Sequence, residues 1–430
     1  MSMNIANAEH IDSYYAATAN DHTRYPRLTG RLDADVVVVG GGLTGISAAL
    51  NLAERGFSVV VLEAGRIGWA ASGRNGGQMI AGFACGMDTF AADLPADDVK
   101  RVWDMGIESI NIIRERVAKH NIKCDLADGY LTAANKPKHV TELKAWRDEA
   151  ASRFGFHDFE YVEPRDMHRF IASDRYLGGL NDKISGHLHP LNYNLGLARA
   201  AVTAGVRIFE SNCATSLQQG QSNIVKTEQG EVHAKFVVLA CNAFIHTLSP
   251  ALDRKIMPVG TYVITTEPIE QERFAKLMPA NAAICDSRFA LDYFRPTADR
   301  RILWGGKVSY SKLAPPNLAQ AMRADMLKTF PQLADVKVSH AWGGFVDITM
   351  TRAPHFGRLS NTVYFAQGFS GHGVNVTGLA GKLMAEAIAG QAERFDIFTR
   401  LKHRDFPGGS LLRMPSLVLA MAWFRLKDLV

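Results

Sequence analysis

The chain has 430 residues, 47% of them apolar and 21% charged, and a formal net charge of +5. That length holds two domains, or one large α/β unit with a second layer inserted. A charge this small does not suggest a nucleic-acid partner, which would need a dense basic stripe, and the five cysteines (85, 124, 213, 241, 285) show neither a CxxC pair nor metal spacing. They read as buried thiols of a reducing, cytoplasmic compartment, with no metal site.

Residues 1–33 read as an irregular or helical lead-in, too polar for a signal peptide. Ala34-Asp35-Val36-Val37-Val38-Val39 is a continuous β-branched run, the mark of a buried parallel strand. A helix over 43–55 and a second buried strand, SVVVLEA (58–64), complete a βαβ unit. Between strand and helix lies Gly40-x-Gly42-x-x-Gly45. Gly40 permits the turn, Gly42 lets backbone approach a pyrophosphate, and Gly45 lets the helix pack on the strand. The helix N-terminus adds unpaired N–H groups. Glu63 ends the second strand, where its carboxylate can accept both hydroxyls of an adenosine ribose and would repel a 2′-phosphate. Together these predict a dinucleotide, FAD or NAD rather than NADP.

GWAASGRNGGQ (68–78) follows directly. A plain NAD dehydrogenase needs no such loop there. Its small residues suggest packing along an extended cofactor, with Arg74 facing a pyrophosphate, a substrate carboxylate or a neighbouring acid. The pattern from 88 to 150 is helical, with another helix over 193–204. Strands follow in VRIFES, around 222–227 and in EVHAKFVVLACNAF, where the buried run FVVLA brings Ala240, Cys241 and Asn242 near an adenine or ribose. Residues 255–310 alternate as an antiparallel sheet does, in TYVITTEPI, FALDYFRPT and RILWGGKVSY. A helix over 316–330, strands in AWGGFVDIT and TVYFAQGF, and a closing helix over 377–390 complete the order.

Before the closing helix stands GFSGHGVNVTG (368–378), with four glycines and no charge. Such a turn gathers N–H groups and a helix N-terminus at one point, fixed dipoles suited to an edge that gains negative charge. His372 inside it is a catalytic candidate, against the plainer reading of a histidine bonded to backbone. The C-terminal MPSLVLAMAWFRLKDLV is apolar but interrupted by Arg425 and Lys427. It is too short to span a membrane and suits docking on its own domain, on a partner subunit, or peripherally on a membrane.

The expected fold class is α/β, α+β in the inserted part. A Rossmann-like cofactor domain is assembled from 30–90, 150–248 and 340–395. An antiparallel-sheet substrate domain takes 91–149 and 249–339, and 1–29 and 396–430 are terminal extensions.

Taken together, the first glycine motif, SGRNGG and GFSGHG resemble the FAD-dependent amine oxidoreductases of the D-amino-acid oxidase superfamily, over roughly residues 30–395. ASGRNGGQ and the C-terminal segment look closest to the γ-glutamylputrescine oxidoreductase branch. The resemblance implies FAD bound by Gly40, Gly42, Leu43, Thr44, Gly45, Glu63 and Ala64, and by Ser72, Gly73, Arg74, Asn75, Gly76, Gly77 and Gln78. Ala214, Cys241 and Asn242 would add to the adenosine end, and Gly343, Gly373, Val374, Asn375 and Val376 to the ring end. Sarcosine oxidases attach FAD through a cysteine on the strand that matches AWGGF; Trp342-Gly343-Gly344 stands here instead, which implies non-covalent FAD. Asn375 occupies the place of a lysine that holds a substrate α-carboxylate, which favours a longer amine. Lys307 matches the lysine that helps oxygen react with reduced flavin. Tyr262, Tyr293, Arg295 and Trp342 are expected substrate residues, with Arg295 meeting a distal carboxylate.

The implied reaction is oxidation of an amine C–N bond to imine and then aldehyde, on a γ-glutamylated polyamine such as γ-glutamylputrescine, with oxygen or another acceptor taking the electrons. An oxidase or dehydrogenase of D- or N-methyl amino acids, and a flavin-binding subunit or sensor without turnover, are the alternatives.

Overall fold

A computed structural model describes residues 9–288, 291–309 and 317–407. Two sheets organise them. In the first, the strand order runs His355–Ser360, Val363–Gln367, Gly230–Leu239, Gly30–Val39, Val59–Leu62, Arg207–Phe209. All neighbours are parallel except the His355–Ser360 hairpin partner. Val36–Val39 pair with Phe236–Leu239 on one side and Val59–Leu62 on the other, and their side chains are buried. That burial on both faces is why the sequence shows continuous β-branched runs rather than alternation. The helices Leu43–Ala53, Pro190–Thr203 and Gly373–Ile388 pack on one another over this sheet.

The second sheet runs Val338–Ile348, Met257–Thr266, Ile302–Ser309, Tyr293–Pro296, Ala283–Asp286, Ala127–Ala133, Gly179–His187, Gln78–Met79. It is antiparallel except for Ala283–Asp286 beside Ala127–Ala133. One face carries its own core, where Phe294 stacks on Trp304 at 4.8 Å and Phe330 closes edge-on.

Phe159–Val162, Gly179–His187 and Val338–Ile348 belong to the second sheet, although they fall largely within the segments 150–248 and 340–395 expected in the cofactor domain. The helical reading of 88–150 is interrupted by the strand Ala127–Ala133 between the helices Ala96–His120 and Pro137–Phe154. The closing helix starts at Gly373, not at 377. The lead-in is no loose extension either. Tyr14 and Tyr15 are fully buried in the main core, where Tyr15 packs edge-on to Trp342 at 5.3 Å. Downstream, Glu210 accepts from the Tyr25 N–H (3.1 Å) and pairs with Arg66 (2.5 Å), which locks residues 23–28 against the loop after Glu63. All five cysteines are free, but only Cys124 and Cys285 are buried; the other three are half-buried. No helix among the described residues is long and apolar enough to cross a membrane. The apolar C-terminal segment lies outside the described residues.

Candidate active site

A cleft of about 1240 Å³, counted to its open mouth, runs along the carboxyl ends of the parallel strands. Ligands of open α/β sheets bind there. Gly40, Gly42, Leu43, Thr44, Glu63, Ala64, Ser72, Asn75, Ala214, Cys241, Asn242, Gly373 and Val374, all expected at the cofactor, line it.

The glycine turn is built by sterics. Gly40 has φ +112°, a region that L side chains rarely adopt, and a Cβ on Gly45 would run into the Gly40 carbonyl oxygen. A Cβ on Gly42 would meet Ser72 Oγ at 2.7 Å, and that hydroxyl instead accepts from the Leu43 N–H (2.9 Å). Glu63 accepts from the Gly41 N–H (2.6 Å) and the Gly65 N–H (2.8 Å). Burial raises its carboxyl above the usual range, and these two N–H groups pull it back.

Neither N-cap residue, Gly42 nor His372, caps its helix through its own side chain, and the first turns of both helices face the cleft, with only the Leu43 N–H taken by Ser72 Oγ. Two helix N-termini facing one cleft suit a ligand that is anionic at two separated places. With Glu63 also in the lining, the residues fit an elongated cofactor such as FAD.

Other expected site residues lie behind the wall. Gly45 packs under the turn, and Gly73 packs on the Gly68 carbonyl. Gly76 offers its carbonyl to Arg295 Nε (2.8 Å) and its bare face to the Tyr293 ring. Gly77, at φ +72°, takes Asn75 Oδ1 on its N–H (2.8 Å). Gln78 Nε2 donates to the carbonyls of Ile284 and Phe294 (3.3 and 3.4 Å), which ties the end of the 68–78 loop to the second sheet.

Several roles expected at the ring and substrate end change. Asn375 is buried in the first turn of the closing helix. Its Nδ2 donates to Ser109 Oγ (2.6 Å), and its Oδ1 accepts from the Ile80 N–H (3.3 Å). Neither it nor Val376 lines the cleft. The Nε2–H of His372 donates to the Ile80 carbonyl (2.9 Å), the plainer of its two readings. Arg295 is fully buried, with Nε, Nη1 and Nη2 committed to Gly76 O, Pro296 O and Tyr15 Oη (2.8, 3.0 and 3.1 Å), so it is a bracket and not a carboxylate receptor. Tyr262 is buried in the second-sheet core, its ring against Gly343. Trp342 Nε1 donates to the Arg74 carbonyl (2.9 Å), which makes Trp342 a prop for the loop. Lys307 lies on the strand Ile302–Ser309, and its side chain is outside the described residues.

Sequence reasoning missed Asp347, Trp69 and Phe369 in the cleft lining, and Asn194 behind it. Asp347, buried on the Val338 strand, accepts from the Gly368 N–H and so holds the late turn; burial pushes its carboxyl up to about 6. Asn194 Nδ2 donates to the Gly41 carbonyl (3.0 Å) from the Pro190 helix. An acid three residues past a Gly-Gly pair, on a strand, was the available signal for Asp347. Asn194 gives none, because only the fold brings it to residue 41.

Residues 35–387 match the DAO family, FAD dependent oxidoreductase. The chain is 42% identical to "Gamma-glutamylputrescine oxidoreductase" of Escherichia coli, covering 98% of this chain and 99% of that one. It is 40% identical to "Probable oxidoreductase OrdL" of Haemophilus influenzae, covering 99% of each. Among solved structures, L-proline dehydrogenase from P. horikoshii superposes with a TM-score of 0.73 at 20% identity, over 87% of this chain and 98% of that one. Glycine oxidase from Geobacillus kaustophilus gives 0.70 at 17%, over 84% and 95%. The parallel sheet, the glycine turn with its acid, and these matches agree: the chain belongs to the DAO family of FAD dependent oxidoreductases.

Proposed function

We propose that this enzyme oxidises the terminal amine of a γ-glutamylated polyamine, γ-glutamylputrescine being the reference compound. The observation that carries the substrate is the 42% identity along essentially the whole length of the Escherichia coli relative. The geometry supports the chemistry. FAD, when bound, supplies the two-electron acceptor. The amine CH–N bond loses two electrons and two protons to become an imine, and water converts the imine to aldehyde and ammonia.

The chain's own part is binding and orientation. The Leu43 helix N-terminus would hold the diphosphate and Glu63 the ribose hydroxyls. The Gly373 helix, fixed by Asp347 on the preceding turn and by Asn375 on Ile80 and Ser109, would present its N–H groups to the ring. FAD is held non-covalently in this reading. The cysteines in the cleft, Cys213 and Cys241, adjoin Glu63 at the adenosine end, and the Val338 strand carries none. Free thiols support a cytoplasmic setting. Oxygen or another acceptor completes turnover.

Anaerobic mixing tests the reading. γ-Glutamylputrescine should bleach the flavin, free putrescine should do so poorly, and D- and N-methyl amino acids should not. Bleaching by amino acids alone would replace the substrate, and bleaching by none of these compounds would remove the amine-oxidising function. Acid precipitation should leave the yellow colour in the supernatant.

A further inference from the structure

Among the described residues, Arg74 is a cation without a counter-ion. Its Nε donates to the Trp69 carbonyl (2.6 Å), and Nη1 reaches the Gly343 carbonyl only at 3.5 Å. Nη2 is shut off from water and has no partner. No carboxylate among the described residues pairs with this guanidinium, and burial alone lowers it to about 10. Burial, then Arg66 and Arg74, hold the neighbouring His10 down to about 4, so it stays neutral beside the guanidinium. A buried charged donor left unmade costs folding free energy, so such a group persists where something else completes it.

The neighbourhood is arranged around this side chain. The guanidinium lies 4.2 Å over the Trp69 ring, and Trp69 lines the cleft. Trp342 Nε1 pins the Arg74 carbonyl. A Cβ on Gly344 would press on Arg74 Cβ at 3.3 Å and Cδ at 3.5 Å, so a glycine there leaves the arm its room. Trp342, Gly344 and Val346 alternate onto one face of their strand, and Val346 lines the cleft. That sets Arg74 about one pleat, roughly 7 Å, from the cofactor wall. The next residue, Asn75, also lines the cleft.

We propose that Arg74 anchors the substrate by its carboxylate, its fork turning toward the cleft so that the unpaired Nη2 takes the glutamyl α-carboxylate while the amine carbon lies over the cofactor. This rests on the γ-glutamyl reading above and gives it a residue. It also moves the role from Arg295, whose three nitrogens each have a partner, to a residue whose Nη2 has none among the described residues. Arg74 is half-buried as a whole, so the fork can turn toward the cleft, and a planar fork suits a carboxylate.

The test uses FAD-loaded enzyme and the variants Arg74→Gln and Arg74→Lys. The substrates are γ-glutamylputrescine and 4-aminobutyrylputrescine, which lacks only the α-carboxylate. Arg74→Gln should raise KM about 10- to 100-fold for the first and leave the second within about twofold, with Arg74→Lys intermediate and the ratio of flavin to protein absorbance unchanged. An equal loss on both substrates, or a drop in bound flavin, would overturn the proposal and make Arg74 a cofactor or framework residue. Calorimetry with N-γ-glutamylbutylamine, which keeps the carboxylate and has no oxidisable terminal amine, separates the two readings. Binding that Arg74→Gln does not weaken sinks the anchor even if amines still bleach the flavin. Binding weakened at least tenfold supports it even if γ-glutamylputrescine proves not to be the substrate.

Discussion

Asp347 is a carboxylate fully buried in the cleft wall, and it holds the Gly368 N–H at the start of the late turn. Burial raises its folded value to about 6, above the 3.8 of an exposed aspartate. The sign follows from proton counting. Between those two values the folded chain binds more proton than the unfolded one, so this group's contribution to stability falls as pH rises from about 4 to about 6, and is level above that. The size is on the order of 2–3 kcal/mol. Asp347→Asn keeps an oxygen for Gly368 and removes the titration. Urea unfolding across this range should show a flatter pH profile for the variant than for the wild type, and identical profiles would refute the assignment. In the main core, Tyr15 Oη accepts from Arg295 Nη2. Tyr15→Phe should cost about 1 kcal/mol in urea unfolding, and Tyr15→Ala about 3–5 kcal/mol, because a cavity opens in the core beside Trp342.

Among the elements, the strand–turn–helix around Gly40 shows how local the legible part was. Hydrophobic period, glycine spacing and the acid at 63 are each properties of neighbouring residues, and they pointed to the stretch of cleft lining at Gly40, Gly42, Leu43, Thr44, Glu63 and Ala64. A methyl group is enough to break it. Gly45→Ala should yield folded but colourless protein, since the new Cβ meets the Gly40 carbonyl and drives the helix N-terminus off the strand. A variant that purifies yellow at the wild-type absorbance ratio would show that the turn tolerates the shift. The closing helix was harder to place. Glycines at 371, 373 and 378 read as a long turn, yet the helix begins at Gly373, because the Gly373 bundle packs against the Leu43 helix so closely that Gly381 meets Ser47 and Ala48 backbone. Tertiary contact overrode propensity there. Asn375 consequently points at Ile80 and Ser109 and not into the cleft.

For the whole molecule, the cleft is closed by helices that start about 330 residues apart in the chain and meet where Ser47 Oγ donates to the Gly378 carbonyl (3.0 Å). A ligand touching both ties the first and last parts of the parallel sheet together, and its binding energy is folding energy. Removing FAD should therefore lower the thermal midpoint of the entire protein in one transition. Adding it back at about 100 times its Kd should restore roughly 2.7 kcal/mol. A midpoint that ignores FAD concentration would mean the cofactor does not bridge the two helices.

By itself the sequence determined the α/β cofactor unit, the dinucleotide, and the antiparallel layer between, because each is written in short-range periodicity and glycine spacing. The tertiary structure decided which sheet owns 159–187 and 338–348, that the lead-in tyrosines belong to the core, and that Asp347 and Asn194 support the cleft. It also decided between two arginines. Arg74 and Arg295 look alike in sequence, each a cation near small or aromatic residues. Only packing shows that one has spent its donors on backbone carbonyls and a tyrosine while the other keeps one open. Donor satisfaction is a property of three-dimensional neighbours, and linear spacing does not carry it.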